Sequence, residues 1–257
     1  METLLLDRTP NGVVTLTLNR PEKKNAINGT MWNEMLAVFR EVAASPTDRV
    51  LVIGGAGDAF CSGADLSAGP PVQGDLLTFM RHVAEVALAL HHIPKPVIAK
   101  VNGVAAGGGC NLALGCDLIV ASETARFSEI FSRRGLSVDV GGTWLLPRLI
   151  GLHRAKELAF FADVISAQEA AGMGLVNRVV PAAELDAFVR GWADRLAAGP
   201  PIALSMTKRL LTNAFSVTLD EALEHEGMAQ SVNLATEDTG EAIKAFLEKR
   251  EPRFKGR

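Results

Sequence analysis

Three consecutive glycines are the first feature of this sequence that points to chemistry. Gly107, Gly108 and Gly109 follow an apolar run typical of a buried strand and precede a segment that predicts a helix. Without Cβ atoms, a ligand can approach the main chain there, and N–H groups at the start of a helix attract negative charge. The turn can hold an oxyanion, although a tight backbone connection explains an isolated glycine triplet equally well.

A second glycine turn lies in the segment 60–66, FCSGADL. Gly63 permits an unusual backbone angle just before Ala64, and Asp65 can cap whatever follows. Both turns come after short apolar strands, which we predict at 50–53 and 96–101. Parallel neighbouring strands bring the loops that follow them to one sheet edge, where ligands of α/β folds bind. We therefore expect the two turns to meet.

Asp139 is the main acid–base candidate, and from the residues alone it has two interpretations. It can cap a helix that starts after Gly141, which is the more frequent use of such an aspartate, or it can move protons in an apolar pocket. Its flanking residues, Val138 and Val140, are consistent with such a pocket. Glu129 is a reserve candidate close by in the sequence.

The composition is that of an ordinary globular protein. The chain has 257 residues, 48% of them hydrophobic and 21% charged, and a net charge of −3. This balance favours neither nucleic acid nor a membrane surface as partner. The opening residues show no targeting signal, no apolar stretch approaches a membrane span, and three cysteines lack paired spacing, so we expect a cytoplasmic protein. His91 and His92 lack metal-ligand spacing and indicate a helix end, and we expect no metal.

Hydrophobic periodicity divides the chain into a strand-bearing first half and a helical second half. This order predicts an α/β fold with a sheet-based core, on which, or on a neighbouring chain, the helical part packs. A loop is predicted at 54–75. Further predicted strands are 13–18 and 117–121, with a strand-like stretch at 175–180, and the predicted helices are 28–42, 76–91, 107–114, 143–150, 154–161, 167–171, 182–198, 200–215, 219–234 and 239–249.

Motifs along nearly the whole chain resemble the enoyl-CoA hydratase/isomerase, or crotonase, superfamily. They are LTLNRPEKKNAIN, AFCSGADL, KPVIAKVNGVAAGGGCNLALGCDLIVAS, GGTWLLPRLIG and FLEKREPRFKGR. The resemblance implies a crotonase-like ββα spiral core, which we assign to residues 1–198. It further implies a helical C-terminal trimerisation region, assigned to 199–257, and a homotrimer or dimer of trimers. The substrate would be an acyl-CoA thioester, with no separate cofactor.

By the same resemblance, the backbone N–H groups of Ala64 and Gly108 form an oxyanion hole for the thioester carbonyl. Such donors stabilise an enolate as its charge develops. The residues expected to contact the substrate or its CoA moiety, some of them across a subunit boundary, are Lys23, Lys24, Ala26, Asp65, Leu66, Phe131, Phe246 and Lys249. From the residues alone, a solvated charged surface is the commoner explanation of the lysines.

The acid–base residues favour isomerisation over water addition. Hydratases of this family use two glutamates, and the matching positions here carry Asn111 and Phe131, neither of which can act as a carboxylate base. Eight residues after Phe131, the family pattern has an aspartate in dienoyl-CoA isomerases and in the ring-1,2-epoxyphenylacetyl-CoA isomerases of phenylacetate breakdown. Asp139 fills that position, and GLSVDVGGTWLLPR is especially similar to the latter group. One carboxylate suffices to shift a proton, with Asn111 orienting the substrate or a proton relay.

Two other functions stay open at this point. A 2-enoyl-CoA hydratase is consistent with the broad family but not with Asn111 and Phe131. A non-catalytic acyl-CoA-binding or RNA-binding member of the family is a further alternative, because a fold does not fix a function. The net charge of −3 does not support RNA binding.

Overall fold

Two β-sheets carry the core of the computed structural model, which describes residues 1–68 and 75–257. In the first sheet, β1 is antiparallel to β2, and every other pair of neighbours is parallel. In spatial order its strands are β1 (Leu4–Arg8), β2 (Val13–Leu18), β3 (Val50–Gly55), β5 (Val97–Val101), β7 (Leu118–Ser122) and β10 (Arg178–Val180).

The second sheet is built from much shorter strands. They are β4 (Ala59–Cys61), β6 (Val104–Ala106), β8 (Arg126–Ser128) and β9 (Ile165–Ser166), in that spatial order. The first three run parallel to one another, and β9 is antiparallel to β8.

Helices alternate with these strands and continue the chain after them. In chain order they are α1 (Gly29–Ala44), α2 (Leu76–His91), α3 (Gly108–Leu114), α4 (Gly142–Ile150), α5 (Leu152–Phe161), α6 (Ala167–Met173), α7 (Leu185–Ala197), α8 (Pro201–Asn213), α9 (Leu219–Leu234) and α10 (Glu237–Glu248).

A strand–strand–helix unit repeats three times and organises the fold. The units are β3–β4–α2, β5–β6–α3 and β7–β8–α4, so each passes from the first sheet into the second and then into a helix. The turns between strands stack closely, since a Cβ on Gly103 would collide with the backbone of Asp58. Consequently β4, β6 and β8 end side by side at one edge, which is the ββα arrangement that the sequence resemblance implied.

The core lies on both faces of the first sheet. Val14, Leu16 and Leu18 of β2 point into the main cluster with α1, whose Met35 and Phe39 are fully buried. The opposite face carries valines and isoleucine from five strands, and α7 covers it. The alternation of β2 thus separates two apolar layers.

Most elements agree with the sequence prediction, including α1, whose N-cap Asn28 accepts a hydrogen bond from the Met31 N–H at 2.9 Å. The predicted loop 54–75 was wrong in part, because it contains the end of β3 and all of β4. Its residues 69–74 lie outside the described residues. Strands of two or three residues are too short to show an alternating pattern, and for this reason β4, β6, β8 and β9 were missed.

The last three helices differ from the core in exposing apolar side chains. No residue of α8 or α9 is buried, although Leu211, Leu219 and Leu234 are large and apolar. Within the described ranges, no helix is both long enough and apolar enough to cross a bilayer.

Candidate active site

The two glycine turns are adjacent at the end of the second sheet. β4 and β6 are parallel neighbours, and Ala64 follows the first strand while Gly108 follows the second. A Cβ placed on Gly63 would lie 2.9 Å from the Ala106 carbonyl oxygen and 3.5 Å from the Gly108 nitrogen. Gly63, at φ +97°, and Gly107, at φ +53°, hold backbone angles that favour glycine. The turns meet as expected, but directly after β4 and β6 rather than after the longer strands predicted from sequence.

The hydrogen bonds around Ala64 direct its N–H toward this junction. Ile27 donates to the Gly63 carbonyl at 2.8 Å and accepts from the Asp65 N–H at 2.9 Å. The Ala64 N–H belongs to the same trans peptide group as the Gly63 carbonyl and points in the opposite direction, so it faces away from Ile27. The Gly108 N–H is the first of α3, for which the helix offers no partner. Two donors are therefore available side by side.

Asp139 does not cap α4. The N-cap of that helix is Gly141, and it has no side-chain cap hydrogen bond. The Asp139 Oδ1 atom is buried without a hydrogen-bond partner among residues 1–68 and 75–257, and lies 3.9 Å from where a Cβ on Gly108 would be. Burial raises the pKa of this carboxyl to about 6. The capping interpretation of the sequence is wrong, and the carboxylate faces the glycine turn.

Asn111 and Phe131 surround the same turn. Asn111 is fully buried on α3, and its Nδ2 donates to the Asp139 carbonyl at 2.9 Å. Phe131 is also buried, and its Cζ lies 3.8 Å from where a Cβ on Gly107 would be. The ring is therefore a wall of the turn and brings no group that transfers protons.

A cavity of about 560 Å³ extends from Asp139 and Asn111 between α2, α3, α4 and α8. Its walls are mostly apolar, with Val83 and Leu112 among them. His91 meets Trp144 edge to face at 5.3 Å between ring centroids, and Arg148 lies 3.9 Å above the Trp144 ring. The volume and lining are typical of a small-molecule site.

Sequence reasoning placed His91 at a helix end, which is where α2 ends. It missed that His91 and Trp144 line the cavity, since this depends on the packing of α2 against α4. Among the described residues, no three His, Cys, Asp or Glu side chains group as metal ligands.

Lys23 and Lys24 lie close to the Ala64 turn. The Ser62 N–H donates to the Lys24 carbonyl at 3.0 Å, and the Ser62 hydroxyl to the Lys23 carbonyl at 3.3 Å. Both lysine side chains are exposed. Ala26 is buried, and its carbonyl accepts from Arg20 at 2.6 Å.

Asp65 has a fully engaged carboxylate. Its Oδ2 pairs with Arg20 at 2.8 Å, while Oδ1 accepts from the Ser67 hydroxyl at 2.6 Å and the Ser67 N–H at 3.1 Å. The hydrogen bonds from Ser67 and Arg20 lower the pKa of this carboxyl. Leu66 beside it is exposed. A contribution of Asp65 to ligand binding would therefore come from its backbone.

Phe246 and Lys249 are separate from this group. Phe246 on α10 is 82% exposed, so its ring is not packed into the cavity of its own chain. Lys249 ends α10 in a left-handed conformation at φ +55°.

Comparison with known proteins gives a consistent family. A family model described as enoyl-CoA hydratase/isomerase matches residues 8–257. A probable enoyl-CoA hydratase of Rhodobacter capsulatus is 41% identical over 96% of this chain and 95% of its own. The 1,2-epoxyphenylacetyl-CoA isomerase of Escherichia coli is 39% identical over the full length of both chains.

Solved structures of similar sequence share the fold of this chain over almost its whole length. The enoyl-CoA hydratase of Bacillus anthracis has a TM-score of 0.94 at 35% identity, covering 99% of this chain and all of its own. A putative enoyl-CoA hydratase of Streptomyces coelicolor has a TM-score of 0.95 at 38% identity, covering 99% of this chain and 94% of its own. The named relatives thus include both hydratases and an isomerase.

Proposed function

This chain belongs to the enoyl-CoA hydratase/isomerase family, and on that premise we propose that it isomerises an unsaturated or epoxidised acyl-CoA. One observation carries the proposal. The half-buried Asp139 carboxylate, whose Oδ1 has no hydrogen-bond partner among the described residues, faces the Gly108 turn, while the two positions at which hydratases of the family carry glutamates hold an amide and a phenyl ring.

In the proposed reaction, the thioester oxygen accepts hydrogen bonds from the Ala64 and Gly108 N–H groups. Two fixed donors stabilise the enolate by roughly 3–4 kcal/mol each in comparable sites. Asp139 removes a proton from one carbon of the acyl group and returns it to another. The carboxylate is regenerated and no atom is gained or lost from solvent, so a single acid–base group completes the cycle.

The surroundings of Asp139 suit this role. A pKa of about 6 leaves the ionised form dominant at neutral pH while making it a stronger base than an exposed aspartate. The apolar cavity next to it suits the hydrocarbon part of an acyl group. Lys23 and Lys24, which are exposed close to the Ala64 turn, can bind the phosphates of CoA as point charges.

Chromatographic separation of isomers followed by mass analysis tests the proposal. Incubation of the protein with 3-enoyl-CoA, 2,5-dienoyl-CoA and epoxidised acyl-CoA substrates is expected to convert at least one of them into a product of unchanged mass. In deuterated water, the transferred position gains deuterium if the Asp139 proton exchanges before its return. Unchanged substrates throughout this set would contradict isomerisation.

Water addition to a 2-enoyl-CoA is the second candidate, and the names of relatives such as the Rhodobacter capsulatus protein favour it. Asn111 and Phe131 oppose it, because activating water in this family uses two carboxylates. Crotonyl-CoA hydration decides the matter, since its product gains the mass of one water. We expect hydration far slower than isomerisation, and rapid loss of the enoyl absorbance would reverse this choice.

We further propose that the chain assembles as a trimer or a dimer of trimers through α8, α9 and α10. The support is their exposed apolar surface, which includes Leu219, Leu234 and Phe246. Phe246 and Lys249 would then complete the CoA site of a neighbouring copy. Light scattering on a size-exclusion column is expected to give three or six times the 27.3 kDa chain mass. A monomer would contradict this assembly.

A further inference from the structure

Glu129 follows the third parallel strand of the second sheet and has no part in the reaction described so far. β4, β6 and β8 end side by side, and Ala64, Gly108 and Glu129 come after them in turn. The Gly107 N–H donates to the carbonyl of Ser128, the residue just before Glu129, at 2.9 Å. Glu129 is only 2% exposed, so it lies behind the site rather than in the cavity.

The amide of Asn111 connects Glu129 to the backbone of Asp139. Its Nδ2 donates to Glu129 Oε2 at 3.3 Å and to the Asp139 carbonyl at 2.9 Å. When Glu129 is ionised, both partners are acceptors without a donor. The opposite amide orientation would therefore place Asn111 Oδ1 against two other oxygen atoms, Glu129 Oε2 and the Asp139 carbonyl. The carboxylate of Glu129 thus fixes the direction of the Asn111 amide.

The segment that carries Asp139 needs such a restraint. Val140 has φ +50°, which is a rare conformation for a β-branched residue, and Gly141 follows at φ +82°. Two successive left-handed residues determine where the Asp139 side chain points. A shift in this turn would move the carboxylate away from the Gly108 turn, and such strained positions persist only when their surroundings hold them.

We propose that Glu129 is a positioning residue for Asp139: it orients the Asn111 amide, which holds the strained Asp139–Val140 backbone and so aims the catalytic carboxylate. This inference rests on the proposed function, because it requires Asp139 to be the group that moves the proton. A displacement of such a group by about 1 Å can lower a rate by about 10²-fold.

A role in packing alone does not explain this residue. Glu129 Oε1 is buried with no hydrogen-bond partner in the described part of the chain, and the Cys110 thiol, Asn111 and the Asp139 charge are its titratable or polar neighbours. Burial raises its pKa to about 7. A leucine would fill the same core position without a desolvated acid, so the carboxylate is retained at a cost in stability.

Kinetics of two substitutions test the proposal. Glu129→Gln keeps an oxygen that can accept from Asn111, whereas Glu129→Leu removes it at similar volume. We expect Glu129→Leu to lower kcat by about 10–100-fold while KM changes by no more than about twofold. Glu129→Gln should keep kcat within about threefold of the native value. Asp48→Leu is the matched control, because it replaces another buried carboxylate just before β3, and it should lower the melting temperature without this loss of kcat.

A double-mutant cycle separates positioning from general damage. If Glu129 acts only through Asp139, Glu129→Leu should lower kcat in the native background and have almost no effect in the Asp139→Asn background. Equal losses in both backgrounds, or native kcat in folded Glu129→Leu, would overturn the proposal. Equal losses of kcat in Glu129→Gln and Glu129→Leu would also overturn it, because they would show that the charge or the proton of the Glu129 carboxyl matters rather than its hydrogen bond to Asn111.

If Glu129→Leu does not fold, Glu129→Asp takes its place, because the shorter side chain withdraws from Asn111 and keeps the charge. We then expect Glu129→Asp to lose about 3–10-fold in kcat and Glu129→Gln to lose less, and the reverse order would refute positioning. Failure of the proposed function has a different signature. In that case the native enzyme shows no isomerisation, or Asp139→Asn is fully active, whatever Glu129 does.

Discussion

Asp65 and Asp139 border the same pair of glycine turns, yet their carboxylates have opposite surroundings. Asp65 is paired with Arg20 and bonded twice by Ser67, which lowers the pKa of its carboxyl. Asp139 has a buried oxygen with no partner among the described residues, and burial raises its pKa to about 6. One group is fixed as an ion, while the other is ready to gain and lose a proton.

This difference shows how one residue type serves two purposes in one site. A carboxylate whose oxygens are all engaged stabilises the turn that carries Ala64. A carboxylate left unengaged costs stability but can act on a substrate carbon. Paired groups whose environments separate their pKa values are a recognised mark of acid–base assignment.

The largest expected effect is on turnover. Asp139→Asn should lower kcat for isomerisation by about 10²–10⁴-fold with little change in KM, because the amide cannot take up a proton. Steady-state kinetics on the best substrate from the mass screen provide the measurement. An Asp139→Asn enzyme as active as the native one would remove Asp139 from the mechanism.

The pH dependence of the rate should report the same residue. Asp139 must be ionised to accept a proton, so kcat/KM should fall about tenfold per pH unit below an apparent pKa near 6. Since Glu129 is a buried neighbour with a pKa near 7, the apparent value belongs to the pair. A rate that stays constant down to pH 4.5 would contradict a buried base.

Replacing Asp65 should instead affect stability. Asp65→Asn removes the ion pair with the half-buried Arg20 and weakens the hydrogen bonds from Ser67, so the free energy of unfolding should decrease by about 1–3 kcal/mol. Denaturant titration at neutral pH measures this change. We expect kcat to fall by less than about tenfold, and a loss as large as that of Asp139→Asn would erase the distinction between the two aspartates.

The smallest predicted effect concerns the pH dependence of stability, to which Asp139 and Asp65 should contribute with opposite sign. The folded pKa of Asp139 is raised, so ionisation of this carboxyl destabilises the fold as pH rises from about 4 through 6. The free energy of unfolding of Asp139→Asn should therefore exceed that of the native protein by roughly 1–2 kcal/mol at pH 8, and should equal it below pH 4. The folded pKa of Asp65 is lowered, so Asp65 stabilises the fold above its unfolded pKa.

The destabilisation caused by Asp65→Asn should accordingly disappear as the solution is acidified through the folded pKa. Thermal melts of the native protein and both variants at a series of pH values test the pair of trends. Parallel trends for the two variants would mean that the carboxylates do not differ in environment.

Sequence periodicity predicted α1, α2 and the strands β2, β3, β5 and β7 because each buries a continuous face. It missed β1, an edge strand that is largely exposed. It could not predict β4, β6 and β8. Each of these strands has only three residues, and they pair with one another because the longer strands that precede them are already aligned in the first sheet. Family resemblance, not local pattern, favoured Asp139 over a helix cap. The burial of Glu129 and the contact of His91 with Trp144 depend on distant packing, which no local pattern encodes.

The two donors proposed to bind the thioester oxygen are peptide N–H groups, whereas every group proposed to move a proton is a side chain. Substitution at Ala64 or Gly108 can distort the backbone, but it cannot delete the donor unless proline is introduced. Exchanges at positions 111, 131 and 139 leave the main chain intact and redirect what happens to the enolate. A descendant of this scaffold could therefore acquire a new reaction through a few codon changes while still capturing the same intermediate.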